Sequence, residues 1–319
     1  MAEPMNRMKA LFQRPLPWPH LLAPVAAACF VPSAPALADA QTPTASPALA
    51  EACQGRDGWA DPAPPARILD NTWYVGTCGI AAILVTGDQG HVLIDGGPQE
   101  AAPLVLASIA GAGFKAGDVR WILTSHEHFD HVGAIAALQQ ATGAQVAALP
   151  AAAQVLQSGT PSRDDPQAAI IKGQPPVRVA RILHDGESVT LGKLVLTAHE
   201  TPAHSPGSTS WTWQTCDAAF TCRMIAYADS ATTISADAYR FIDHPDRAAR
   251  AFTGLDRIAA LPCDVLVTPH PSASGLFARM AGDAPLVSPG ACQAYAEKAR
   301  KYFGNRLATE TREVESPRP

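Results

Sequence analysis

The sequence predicts an αββα sandwich, with two β-sheets stacked face to face and helices on the outer faces. Three observations lead there. Strand-like and helix-like stretches follow one another in two rounds of similar order. The strand-like stretches are rich in β-branched and aromatic residues and are separated by Gly, Pro and Asp turns. Polar, histidine-bearing segments come where the apolar strands end, the place where a layered fold displays its chemistry.

The first round opens with three strands, RILDNTWYVG, CGIAAILVT and HVLIDGG. AAPLVLASIAGAG then reads as a helix, VRWILTS as a strand, DHVGAIAALQQATG as a helix and AQVAALP as a strand. The second round begins with VRVARIL, SVTLGKLVLTAHETP, SPGSTSWTWQT and CRMIAYAD, all strand-like in composition. Residues 245–260 read as a helix, CDVLVTP as a strand and CQAYAEKARKYFGNRL as a closing helix. No short-period repeat is present.

The chain has 319 residues, enough for one large domain or two ordinary ones. Its formal net charge is −5 and it has no run of Lys and Arg, so no nucleic-acid partner is expected. Residues 1–40 have the form of a secretory signal. Lys9 and Arg14 precede the apolar run LLAPVAAACFVPSAPALADA, and Ala38 and Ala40 are spaced for a cut before Gln41. AAAC, ending at Cys29, is a poor lipoprotein box. A Pro/Ala-rich leader, 41–65, and one domain, 66–319, complete the expected organisation. The exported chain is expected to be periplasmic and, since no later apolar run reaches the roughly 20 residues that cross a bilayer, free of the membrane; a monomer is expected, with no sequence feature that sets the oligomeric state.

Six cysteines remain after the signal: Cys53, Cys78, Cys216, Cys222, Cys263 and Cys292. An even number in an exported chain suggests three disulfides, and many connectivities are open. Pairing neighbours along the sequence gives Cys53–Cys78, Cys216–Cys222 and Cys263–Cys292. No cysteine stands in a CxxC pair, which argues against thiolate zinc.

SHEHFDH, 125–131, concentrates three histidines and two acids between a strand and a helix. His126 and His128 are two residues apart and point to one side of an extended backbone. Asp130 is placed to cap the next helix, and His131 follows it. Four potential ligands in six residues make a metal site the better reading than four separate local roles. Other strand ends can complete it: His204 in the turn TPAHSPGSTSW, and His270 between two prolines in VLVTPHP. His91, His184, His199 and His244 have ordinary surroundings and are expected to be solvated or locally hydrogen-bonded. One zinc needs about three protein ligands plus water, so five histidines and an aspartate suit two sites of three, as in a two-metal hydrolase.

H-x-H-x-D-H after a strand, a later PxHxPGS and a final TPHP resemble the metallo-β-lactamase superfamily, over about Thr72 to the C-terminal helix. SHEHFDH, SPGSTSWTW, YADS and PCDVLVTPHPSASG are similar to the third subclass of true metallo-β-lactamases, and the six cysteines to its three-disulfide members. The resemblance implies that His126, His128 and His204 hold one zinc, and that Asp130, His131 and His270 hold the second. It implies that Ser230 and Thr232 meet the substrate carboxylate, with no lysine at that position, and that Asp95 supports the metal loop. Ala203 and Ser205 depart from the usual Gly and Thr.

The implied activity is hydrolysis of the amide bond of β-lactams by a hydroxide held between two Zn²⁺ ions, with Asp130 and His204 in the catalytic set. The SxxK pattern of serine β-lactamases is absent after the signal. One rival is another hydrolase of the same fold, a glyoxalase-II-like thioesterase, lactonase or phosphodiesterase, in which Asp229 would bridge the metals. The other is a metal-binding module without turnover, which predicts coordinatively closed metals.

Overall fold

Period-2 alternation along the central strands sends their side chains into different cores. The computed structural model describes residues 46–315; the expected signal, 1–40, lies outside the described residues. The first sheet holds seven strands in sequence order: β1 (Ala66–Leu69), β2 (Thr72–Tyr74), β3 (Ile83–Gly87), β4 (Gly90–Ile94), β5 (Val119–Leu123), β6 (Gln145–Ala148) and β7 (Val179–Ile182). The second holds β8 (Ser188–Leu191), β9 (Leu194–Glu200), β10 (Thr209–Cys216), β11 (Cys222–Tyr227) and β12 (Val265–Val267), in the order β12-β11-β10-β9-β8. The helices are α1 (Pro47–Ala52), α2 (Ala102–Gly111), α3 (Phe129–Val132), α4 (Ile135–Thr142), α5 (Pro150–Ser158), α6 (Pro245–Ala259), α7 (Leu276–Ala281) and α8 (Ala291–Glu315).

Ile83, Val85, Val92 and Ile94 of the first sheet share a buried cluster with Leu196, Trp211, Trp213, Ile225, Tyr227 and Val265 of the second. Leu84 and Leu93, one position out of phase, pack instead with Val105 and Ile109 of α2, Ile135 and Leu138 of α4, and Leu156 of α5. On the far side Ala226 and Leu266 meet Leu255 and Ile258 of α6 and Ala296 of α8. Four layers follow from that alternation, as the sequence predicts. Strands β4 to β7 are parallel and linked through α2, α4 and α5, so the loops after them open at one end.

Three predicted elements are broken in two. RILDNTWYVG turns at Asp70, whose φ of +43° is a left-handed conformation that Asp tolerates, and becomes the β1–β2 hairpin. SVTLGKLVLTAHETP turns at Gly192 into the β8–β9 hairpin. The helix predicted over 130–143 is interrupted at Gly133, where a Cβ would approach the Gln99 amide nitrogen to 2.7 Å. Three helices lie where the sequence predicts none: α5, α7 after His270, and α1 within the Pro/Ala-rich segment, where Leu49 is buried.

The structure contains the disulfides Cys53–Cys78, Cys216–Cys222 and Cys263–Cys292. Cys263–Cys292 joins the approach to β12 with the first turn of α8 across 29 residues of chain. Replacing both cysteines with alanine is expected to lower unfolding stability by about 3–4 kcal/mol, the chain entropy that a loop of this size restricts. Equilibrium denaturation of the variant against the oxidised parent measures it.

Candidate metal centre

The motif loop leaves the C-terminal end of β5 and is anchored before it reaches its first histidine. Asp95, at the end of β4 with φ +61°, accepts hydrogen bonds from the Ser125 amide (2.7 Å), the Ser125 hydroxyl (2.6 Å) and the Tyr227 hydroxyl (2.7 Å). Tyr227 belongs to β11, so this carboxylate fastens one sheet to the other directly beneath the loop. Trp211 of β10 adds a second tie by donating its indole N–H to the Thr124 carbonyl at 2.9 Å.

The loop carrying His204 is drawn to the same place. The buried Glu127 carboxylate accepts the Ser205 hydroxyl at 2.8 Å and the Gly207 amide at 2.9 Å. A Cβ on Gly207 would stand 2.4 Å from Glu127 Oε2 and 2.6 Å from the Ala152 nitrogen, so glycine is required there. From α6, Arg247 donates to the carbonyls of Pro202 and Ala203, each at 3.0 Å.

Those ties bring His126, His128 and His204 together, with one ring nitrogen from each within 4.8 Å of the others. His126, Asp130 and His131 form a second such group. His270, following β12, comes in at the mouth, its Nε2 3.6 Å from Asp130 Oδ2 and its side chain 34% exposed. Asp130 does not cap α3, the alternative to a ligand role: His128 occupies the N-cap, and Asp130 lies within the first turn, 3.2 Å from His131 Nε2. Ser230 is buried and follows Asp229, whose carboxylate meets His126. Thr232 turns its carbonyl to His204 Nδ1 at 2.8 Å, with its hydroxyl 3.0 Å from the same atom.

Each ring of the first group is held by its far nitrogen. His126 Nδ1 pairs with Asp229 Oδ1 at 2.8 Å, His128 Nε2 with Asp165 Oδ2 at 2.8 Å, and His204 Nδ1 donates to the Thr232 carbonyl. A proton on each of those nitrogens leaves a lone pair on the other, aimed inward. His126 Nε2 is buried with no hydrogen-bond partner among the described residues. Burial, reinforced by the neighbouring rings, pushes His204 down to about 3 and His270 to about 4, so both are neutral at pH 7 and able to ligate. Burial disfavours charge on His131 as well, but the Asp130 and Asp95 carboxylates lift it to about 10, so this point of the site favours positive charge. Neutral imidazoles, a carboxylate and an orphaned ring nitrogen fit a divalent metal of the zinc type.

The profile of the metallo-beta-lactamase superfamily matches residues 75–270. The chain belongs to the metallo-beta-lactamase superfamily. Among solved structures, the metallo-beta-lactamase MIM-1 from Novosphingobium pentaromativorans is 69% identical, with a TM-score of 0.83, over 84% of this chain and 99% of that one. MEM-A1, a subclass B3 metallo-beta-lactamase from a soil metagenome library, is 40% identical, with a TM-score of 0.77, over 80% of this chain and all of that one. A hydroxyacylglutathione hydrolase of Anaeromyxobacter dehalogenans (strain 2CP-C) is 34% identical over 147 residues. The chain spans about half the length of that curated relative, 46%.

Within this superfamily member, the sequence reading missed Asp165 and Gln167. Asp165 accepts the Gln167 amide through Oδ1 while its Oδ2 holds His128. The Gln167 side-chain nitrogen lies 3.3 Å from His204 Nε2, the nitrogen left facing the cluster. Both sit in a Pro- and Asp-rich loop without periodicity, and only the DDPQ turn itself offered a signal. His91, His184, His199 and His244 lie outside the metal-binding groups; His199 bonds the Thr212 hydroxyl at 2.7 Å, and His244 stacks on Tyr239.

Proposed function

We propose that this protein is a β-lactamase of the third metallo-β-lactamase subclass, hydrolysing the lactam amide with two zinc ions. The observation that carries the reading is where Asp229 goes. Its carboxylate lies on His126 Nδ1, the ring nitrogen facing away from the cluster. In this reading an aspartate so placed orients a ligand, whereas a glyoxalase-II-like site would require it to bridge the metals. The 69% identical metallo-beta-lactamase supports the same conclusion.

In this reading His126, His128 and His204 hold one zinc, and Asp130, His131 and His270 the other. When bound, the metals supply Lewis acidity that polarises the lactam carbonyl and makes water acidic enough to attack at neutral pH. Asp130, its carboxyl held well below the usual range by His131 and His270 despite burial, stays ionised to orient the attacking water. Thr232 keeps the His204 tautomer through its carbonyl, and the Ser230 and Thr232 hydroxyls face the substrate carboxylate. Three disulfides suit an exported protein. We assign residues 1–40 to a cleaved signal, residues 66–319 to the catalytic domain, and the protein to the periplasm as a monomer. Among the described residues no helix is long and apolar enough to cross a membrane.

The test is turnover of a carbapenem and a cephalosporin by the purified protein, alongside a glutathione thioester. Lactam hydrolysis is expected. Hydrolysis of the thioester with no lactam turnover would move the assignment to the thioesterase branch, which the hydroxyacylglutathione hydrolase similarity keeps in view. Ser230→Ala is expected to raise KM for lactams with little change in kcat, because the lost contact serves ground and transition states alike. A hydrogen bond to a charged group sets a ceiling of roughly 10- to 150-fold. Steady-state kinetics with metal content measured in parallel checks this, and metal content should not move.

A further inference from the structure

A groove of about 580 Å³ runs between α8 and the loop that follows β11, and the metal centre makes no use of it. Its walls include Thr232 and Ile234 from that loop, Ala273 from the turn after His270, and Lys298, Lys301 and Tyr302 from α8. Lys298, Lys301 and Tyr302, spaced three and four apart, share one face of the helix. Ile234 and Tyr302, at 51% and 70% exposure, are among the few large apolar side chains the protein shows to solvent, and they meet here. No Asp or Glu lines the groove, and neither lysine has an ion-pair partner among the described residues, where the Arg and His side chains make all the pairs. In a chain of net charge −5 this is a local cationic surface with apolar walls.

The groove begins at the rim of the metal centre. Thr232 belongs to both, since its carbonyl receives the His204 Nδ1 proton. The stretch between them is pinned to α8: the Ala231 amide donates to the Tyr295 hydroxyl at 3.0 Å. A ligand with one end at the metals and its carboxylate at Thr232 therefore has a single continuous wall to follow.

We propose that this groove is the subsite for the substituent on the ring carbon beside the lactam's carboxylate (C3 in a cephalosporin), and that Lys298 and Lys301 make it prefer anionic substituents. The inference rests on the β-lactamase reading above. The body of the substituent lies against Ile234 and Tyr302, and its charged end meets the two ammonium groups. The helix thus supplies the cationic character that the 230–232 loop, with hydroxyls alone, does not.

The experiment compares the parent with K298Q/K301Q on two cephalosporins, one with an anionic and one with a neutral C3 substituent, measuring kcat, KM and zinc content. Exposed charge pairs of this kind predict that KM for the anionic substrate rises roughly three- to twentyfold. KM for the neutral one should change less than about twofold, and kcat and zinc content should hold. The difference between the substrates should shrink at high salt, as screening requires. Equal shifts for both substrates, or none, while hydrolysis persists, would overturn the subsite and leave the β-lactamase reading standing. Failure of the unaltered protein to hydrolyse either cephalosporin would overturn both.

Discussion

A strong chelator should abolish lactam hydrolysis, and Zn²⁺ should restore it. No serine nucleophile is proposed, so the loss should be at least on the order of a thousandfold, several kcal/mol of Lewis-acid stabilisation. Clavulanate, which traps serine enzymes, should have no effect. His204→Ala and His270→Ala should each lose up to about one equivalent of zinc, since each removes one of three proposed ligands from its site. His184→Ala, outside both metal-binding groups, is the control and should bind metal as the parent does. Metal analysis of the three variants beside chelator-treated turnover decides the point. Chelator-resistant hydrolysis, or unchanged zinc in both ligand variants, would refute the assignment.

The second large effect is expected at Asp229. Burial pushes its carboxyl up and the His126 ring down, so the pair lies where neither charge is solvated. Asp229→Asn keeps an acceptor near Nδ1 but loses the negative charge that strengthens the ring as a ligand. Zinc affinity should fall roughly 10- to 100-fold, the usual cost of removing such a partner, while stoichiometry at saturating metal is retained. Asp229→Ala leaves the ring N–H buried and unpaired and should cost about a further 1–3 kcal/mol of stability. Zinc titration of both variants, with denaturation curves, separates an orienting aspartate from a bridging one. A bridge would lower the stoichiometry itself, at any zinc concentration.

The candidate metal ligands stood out in the sequence because most of them are local. His126, His128, Asp130 and His131 fall in one heptapeptide, and His204 and His270 each stand in a Pro-flanked turn beside an apolar strand. The layered fold was legible for a related reason: period-2 strands and longer helical stretches carry their pattern within a few residues. What could not be read depends on how the sheets stack. That Tyr227 binds Asp95, or that Trp211 binds the Thr124 carbonyl, follows from the register of strands more than 80 residues apart. Asp165 was hidden differently, because a loop without periodicity gives no direction to its side chains. The missed turns at Asp70 and Gly192 have another cause, since apolar residues continue on both sides and disguise the hairpins as longer strands.

Two loops hold rings of the first group, and one of them, the loop of Ser230 and Thr232, is also where substrate is expected. Asp165 in the 159–178 segment fixes His128, and Thr232 in the segment after β11 fixes His204. Neither loop can be remodelled for a new substrate without disturbing how firmly the centre keeps its metal. If the centre holds zinc as proposed, adaptation is expected to trade breadth of substrate against tolerance of zinc scarcity. Variants gaining range through these two loops are then expected to bind the metal more weakly, whereas changes on the outward face of α8, which holds neither ring, are not.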